Sequence, residues 1–331
     1  MSQDEIICIG ASAHDTHIYV NEAHTHRSAT EHTTDLALPF GVKLNCQSLT
    51  HTIGGNAANV AVGLTRLGFK SFLITWIGQD DQGKFITSCL KKENIKTFAT
   101  TLPTSNQSII LHCNAERTII AHHPNHKYKI SKDHDTNHIY LSSMGQGSEH
   151  IIANLLKQSQ QGTLKTLAWN PGNYQINMGK KIIPLLKKTT ILFLNKEEAI
   201  LLQKTTNQNQ ESNHHHDHPI ELLATKIQHL GPSIVIITDG KKGAWVSTNN
   251  TSHHIEASQV NAIDATGAGD AFAAAFYATY LRQGTTTECL RAGTHNSSSV
   301  IQQIGAQPGL LTAKELAHKI MTNTISVRQI P

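Results

Sequence analysis

Short apolar runs alternate with helix-length segments along most of this chain, and that rhythm limits the fold more than any other feature. The clearest runs are 6–10 (IICIG), 71–78 (SFLITWIG), 138–143 (HIYLSS), 166–170 (TLAWN), 191–195 (ILFLN), 233–240 (SIVIITDG) and 243–248 (GAWVST). Between them lie 56–68, closed by Gly68, then 81–95, 147–160, and 218–231, closed by Gly231. Continuous apolar strands separated by helices predict a mostly parallel sheet covered on both faces. The 331 residues, 38% of them apolar, suffice for one large α/β domain. Ligands of such sheets collect at the carboxyl ends of the strands, where Asn195, Asp239 and residues 264–270 fall.

Residues 15–52 and about 98–128 break the rhythm with short alternating pieces such as THIYV and QSIILHCNAERTIIAHHP. The second reads as a hairpin with Asn114, Ala115 and Glu116 near its turn. Together they predict a small β-sheet projecting from the main domain as a lid. A lid would exclude water from a site beneath it.

The segment DATGAGD at 264–270 carries the chemistry. Asp264 ends a strand-like stretch, Gly267, Ala268 and Gly269 form a turn without bulky side chains, and Asp270 opens the apolar helix AFAAAFYATYL. Such a helix start offers unpaired amide donors and a partial positive charge, which attract phosphate. A carboxylate beside it can deprotonate a hydroxyl. The pattern therefore points to phosphoryl transfer.

The second glycine-rich element is IGGNAANVAVGLTRLG at 53–68. Gly54 and Gly55 permit close approach to a ligand, while Asn56 and Asn59 bring amides to a helix start. In order and spacing the two elements closely resemble the two signatures of the ribokinase-like (PfkB-type) carbohydrate kinases, and the resemblance runs from GASAHD at 10–15 to IGAQPG at 304–309. It implies a three-layer α/β/α fold with a small β-sheet lid. It also implies ATP-dependent transfer of the γ-phosphate to a hydroxyl, primary by preference, of a sugar or nucleoside.

By the same resemblance Asp270 is the catalytic base, and the amides of Gly267, Ala268 and Gly269 form an anion hole in which each donor is worth about 3 kcal/mol. Asp15, Gly54, Gly55 and Asn59 would bind the acceptor. Asn195 and Glu198 in LNKEEA match an NxxE motif that organises Mg²⁺ and phosphates, Glu198 acting through water. Thr238, Gly240 and Gly243 would flank the nucleotide, and Gly293 would let adenine lie against the backbone. Around Gly293 the chain departs from the family's usual alanine-rich run, with Thr294, His295, Asn296 and three serines. Asp264 and Thr266 occupy positions that in some relatives help hold a potassium-like cation (K⁺).

Other classes fit less well. The first strand is followed by GASAHD rather than GxGxxG, and GxxxxGK[ST] is absent. The principal rival is a nucleotide- or sugar-binding regulatory protein on the same fold that has lost catalysis. A net charge of +4 with no long block of like charges gives no support to nucleic-acid or membrane partners. The start MSQDEIICIG lacks signal-peptide features, and five scattered cysteines without CxxC spacing read as reduced thiols, so a cytoplasmic location is expected.

Histidine is abundant at 22 residues, clustered only at His214, His215, His216 and His218 around Asp217. That stretch reads as a solvated loop with adventitious metal affinity. For the acceptor, Tyr19, Phe40, Trp76, Phe98, Tyr128 or Trp169 could face a nucleobase, and Lys43 or Arg117 could face an anion. A neutral sugar or nucleoside is the expectation, with the protein a monomer or a homodimer through the lid.

Overall fold

The structure, a computed structural model, describes residues 5–20, 24–27, 34–113, 116–128, 137–206, 219–249 and 251–330. The histidine cluster at 214–218 and the hairpin tip at 114–115 lie outside them. The amino-terminal half runs β1 (Glu5–Ile9), β2 (Ala13–Val20), β3 (His24–Arg27), β4 (Thr34–Ala37), β5 (Cys46–Gly54), α1 (Asn56–Arg66), β6 (Lys70–Gly78), α2 (Asp81–Lys92), β7 (Lys96–Leu102), β8 (Asn106–Cys113), β9 (Glu116–His122) and β10 (His138–Leu141). It continues through α3 (Glu149–Gln160), β11 (Thr166–Trp169), α4 (Asn173–Asn177), α5 (Ile183–Leu186), β12 (Ile191–Asn195), α6 (Lys196–Thr206), α7 (Ile220–Gln228), β13 (Ile234–Thr238), β14 (Ala244–Thr248) and β15 (Ser252–Ile255). The chain closes with α8 (Ala268–Leu281), α9 (Thr286–Val300), α10 (Ala313–Thr322) and β16 (Val327–Ile330).

Ten strands form the main sheet in the order β16-β15-β14-β13-β12-β11-β10-β1-β6-β7. From β13 to β7 every pairing is parallel, and β14 to β16 add an antiparallel edge. Alternation along β1 divides the core. Ile6 and Cys8 face the layer that holds α1, α8 and α9, while Ile7 and Ile9 face Trp76, Leu155 and Trp169 on the opposite side. The helix α8 is buried nearly all round, as its unbroken apolar sequence requires, and sits between α1 and α9.

The second sheet has the order β5-β2-β8-β9, with β2 and β8 parallel and the outer pairs antiparallel. It is built from the two irregular segments, with two differences. Within 15–52, β3 and β4 pair as a separate two-stranded sheet. Residues 98–102 lie in β7 at the edge of the main sheet, because KTFATTL pairs in parallel along β6 from Phe72 to Gly78. The hairpin forms as β8 and β9, with Ile109 opposite Ile120. None of the five cysteines is in a disulfide, and Cys8, Cys113 and Cys289 are buried.

Candidate active site

The chain leaves β1 through Ala11 and enters β2, which carries Asp15 into a cleft between the two sheets. The same cleft receives the start of α1 and the start of α8. Gly55 caps α1 at φ 92, and a Cβ there would come within 2.5 Å of the Ala11 carbonyl oxygen, so only glycine permits this crossing. Any side chain at Gly54 would overlap the Asp15 carboxylate. The glycine pair thus seats Asp15 against the helix start. The result is a cavity of about 630 Å³ whose wall includes Asp15, Asn56, Asn59, Glu198, Gly267 and Asp270.

Asp270 stands in the first turn of α8 with 6% of its surface exposed. Burial pushes its carboxyl up to about 7, against the pull of hydrogen bonds from Asn59 and Asn56. The Glu198 and Asp15 charges add to the upward push. Asn59 donates from Nδ2 to Asp270 Oδ2 at 2.8 Å and accepts from Gln307 Nε2 at 3.0 Å. Asn59 also lines the cavity, and through these two bonds its amide orients Asp270. Asp15 is likewise buried, and burial raises it to about 6, opposed by a hydrogen bond from Ser108. Its Oδ1 is buried without a hydrogen-bond partner, and the residue lines the cavity.

The turn before α8 departs in detail from the expected anion hole. Gly267 is the left-handed N-cap, at φ 75. The Ala268 amide is directed to the Ala265 carbonyl at 3.3 Å, a long bond, so it is shared rather than free for an anion. Gly269 faces open space.

Other sequence-predicted residues are placed less uniformly. Asn195, at the end of β12, and Glu198, in the first turn of α6, form a reciprocal cap: the Glu198 amide donates to Asn195 Oδ1 at 2.8 Å, and the Asn195 amide to Glu198 Oε2 at 2.9 Å. Glu198 reaches the cavity wall and burial raises its pKa, whereas Asn195 is exposed and outside that wall. Thr238, Gly240 and Gly243 bend the chain between β13 and β14 and also lie outside it. Gly293 lies apart from the cavity. It is buried within α9, and a Cβ there would lie 2.9 Å from the Phe272 ring, so it serves packing between α8 and α9 and offers adenine no surface.

Of the aromatic residues, Trp76 and Tyr128 reach the cavity, meeting edge to face at 4.6 Å. Phe40 is fully exposed, Trp169 is in the core, and Tyr19 stacks on His112. Of the two cations, Arg117 reaches the cavity wall and Lys43 does not. Asp264 is buried behind that wall. Thr266 donates to its Oδ1 from both amide and hydroxyl, and Gly305 donates to Oδ2. Burial alone would raise this carboxyl, but these donors and His17 hold it below its ordinary value. Sequence reasoning missed Gln307, Ser108 and His17 as supports, because each arrives from a segment distant in the chain.

A doubly covered parallel sheet with a polar cavity at its strand ends, three carboxylates raised by burial and a glycine-capped helix start define an α/β enzyme of the phosphotransferase type. The family model described as pfkB family carbohydrate kinase matches residues 18–313, and the chain belongs to that family, whose members are phosphotransferases with an alcohol group as acceptor. A ribokinase of Staphylococcus aureus is 40% identical over 88 residues, 26% of this chain and 29% of that protein. A ribokinase of Haemophilus influenzae is 28% identical over 290 residues, 83% of this chain and 89% of that protein. The structure of Arabidopsis thaliana ribokinase complexed with ribose and ATP superposes with a TM-score of 0.74 at 19% identity, covering 96% of this chain and 98% of that one. Among the described residues no helix is long and apolar enough to cross a membrane.

Proposed function

We propose that this chain transfers the γ-phosphoryl group of ATP to a primary hydroxyl of a small neutral sugar or nucleoside. The observation that carries this reading is the Asp270 carboxyl, buried, raised to about 7 and turned into a cavity at the start of α8. A base with a pKa near the working pH combines availability with proton affinity. In the proposed step Asp270 takes the hydroxyl proton as the hydroxyl oxygen forms its bond to the γ-phosphorus. The bond from phosphorus to the bridging oxygen breaks, and that oxygen leaves with ADP. The amides at the start of α8 stabilise the charge on the phosphoryl oxygens.

Asp15 orients acceptor hydroxyls from the cavity wall. The small sheet acts as the lid, contributing Asp15 and Ser108 on one side and Arg117 from β9 on the other. Trp76 and Tyr128 supply an apolar face for a sugar ring or a base. Arg117 already faces Asp264, with Nε 3.9 Å from Oδ1, which favours a neutral acceptor over an anionic one. The outer face of the small sheet exposes Ile109 and Ile120, which supports a homodimer through it.

Mg²⁺ fits the cavity, since the half-buried Glu198 carboxylate offers an oxygen ligand and the ion keeps its remaining waters. Bound there, it would neutralise phosphate charge. A potassium-like ion at Asp264 and Thr266 fits poorly. His17 Nδ1 lies 3.6 Å from Oδ2 and Arg117 Nε 3.9 Å from Oδ1, so nitrogen groups rather than oxygens stand beside the carboxylate.

A kinase assay over neutral sugars, sugar acids and nucleosides tests the reading, and absence of turnover across the panel would leave a binding protein. With an active acceptor, kcat/KM is expected to rise with pH and level off above about 7, because both Asp15 and Asp270 must be ionised. A profile flat from pH 5 to pH 8 would remove Asp270 as base. Asn59→Leu is expected to shift the acid limb upward by about one pH unit, since a hydrogen bond to the charged form is lost. An unshifted limb would show that Asn59 does not tune the base.

A further inference from the structure

Behind the cavity wall lies a second polar cluster that the proposed reaction does not use. His17 on β2, His112 on β8 and Asp264 before α8 are each buried, with at most 5% of their surface exposed. His17 Nδ1 is 3.0 Å from His112 Nε2 and 3.6 Å from Asp264 Oδ2. One ring nitrogen thus faces two atoms able to accept, and a single N–H can satisfy only one of them. Among the described residues this is the one group of three side chains whose donor atoms fall within 4.8 Å of one another in a metal-ligating set.

The distances suit a particular kind of ion. Zinc binds imidazole nitrogen and carboxylate oxygen at about 2.0–2.2 Å, which sets the edges of its tetrahedron at roughly 3.3 Å. The two measured separations bracket that edge. Outer contacts already hold each ligand. His17 Nε2 lies 2.9 Å from Thr52 Oγ1, the His112 ring stacks on Tyr19 at 4.3 Å, and Thr266 and Gly305 fix the Asp264 carboxylate. Two imidazoles and one carboxylate suit a borderline-soft transition ion rather than an alkali ion. Arg117 approaches Oδ1, the oxygen not used by His17.

We propose that His17, His112 and Asp264 bind one divalent transition ion of the zinc type, with water in the fourth position. The ion would pin the small sheet to the loop that leads into α8. This inference does not rest on the kinase reading, and its readout is metal binding.

The test uses the full chain after chelator treatment, titrated with Zn²⁺ by calorimetry and with Co²⁺ by visible absorption. The expected result is one tight equivalent, a d–d band typical of four-coordinate Co²⁺, and a melting temperature that rises with metal. His112→Gln is expected to lose that equivalent, and Thr52→Val to weaken it by about tenfold or more. A variant with His214, His215 and His216 all changed to Ala should keep it. X-ray absorption of the wild-type complex must show two imidazoles in the ligand shell, which decides the matter even where a variant fails to fold. No bound equivalent in the wild type, a spectrum without two imidazoles, or loss of binding in the 214–216 variant alone would overturn the site.

Discussion

Asp270→Asn is expected to lower kcat by at least about 10²-fold while leaving ATP affinity nearly unchanged. The amide keeps the shape of the carboxyl and can still accept from Asn59, so the cavity should survive, but it cannot take a proton. The same change should stabilise the fold at neutral pH. In the native state Asp270 is raised from 3.8 to about 7, so the native protein holds this proton more tightly than the unfolded chain does. The stability that comes from the bound proton is therefore present in full below about pH 4 and is lost as pH rises to about 7. At about 1.4 kcal/mol per pH unit, the native state above pH 7 carries a burden on the order of 4 kcal/mol. An asparagine at 270 never ionises, so the advantage of the variant should widen from pH 4 to pH 8. Thermal melts at the two pH values, beside steady-state kinetics, check both halves. Wild-type turnover in the variant would remove Asp270 as base. An advantage independent of pH would mean that Asp270 is not a buried, raised carboxyl.

Seven of the ten strands of the main sheet were legible because they are uninterrupted apolar runs, which period and length distinguish from helices, whereas the short polar edge strands β15 and β16 were not. The segment at 98–102 was misplaced for a local reason. KTFATTL alternates like an exposed strand, and the parallel pairing to β6 that makes it an edge of the main sheet is a long-range fact. In the site, residues adjacent to the glycine turns could be read directly, since Gly55 and Gly267 mark backbone geometry that few other residues permit. The environment of each group could not. Nothing near Asn59 in sequence announces that Gln307 will take its carbonyl, and nothing near Gly293 announces the Phe272 ring. The resemblance carried a potassium-like ion onto Asp264 and Thr266 because it matches positions. The histidine and arginine that now face Asp264 come from β2 and β9, outside either signature.

Gly267→Ala is expected to damage the fold and the activity together. Two costs combine. At φ 75 an alanine sits in the left-handed region, which costs about 1–2 kcal/mol. Its Cβ would also collide with Cβ of Ala306 and lie 2.7 Å from the Ala306 Cα. Backbone cannot yield as a flexible side chain does, and the neighbouring Gly305 amide is tied to Asp264 Oδ2 at 2.9 Å. The strain must move either residues 304–306 or the start of α8. If α8 moves, its amides leave the position where phosphoryl charge develops, and losing such a donor costs about 10²–10³ in kcat. If 304–306 moves, Gln307 is displaced from Asn59, and the support of Asp270 goes with it. Either route predicts a lowered melting temperature and a kcat loss of about 10² or more. Gly269→Ala is the comparison, because its Cβ meets open space and its backbone is ordinary helix. It should leave the melting temperature unchanged or slightly raised. Wild-type kcat in Gly267→Ala, with the melt lowered, would separate the geometry of this turn from the chemistry and end the proposal that its amides act on the phosphate.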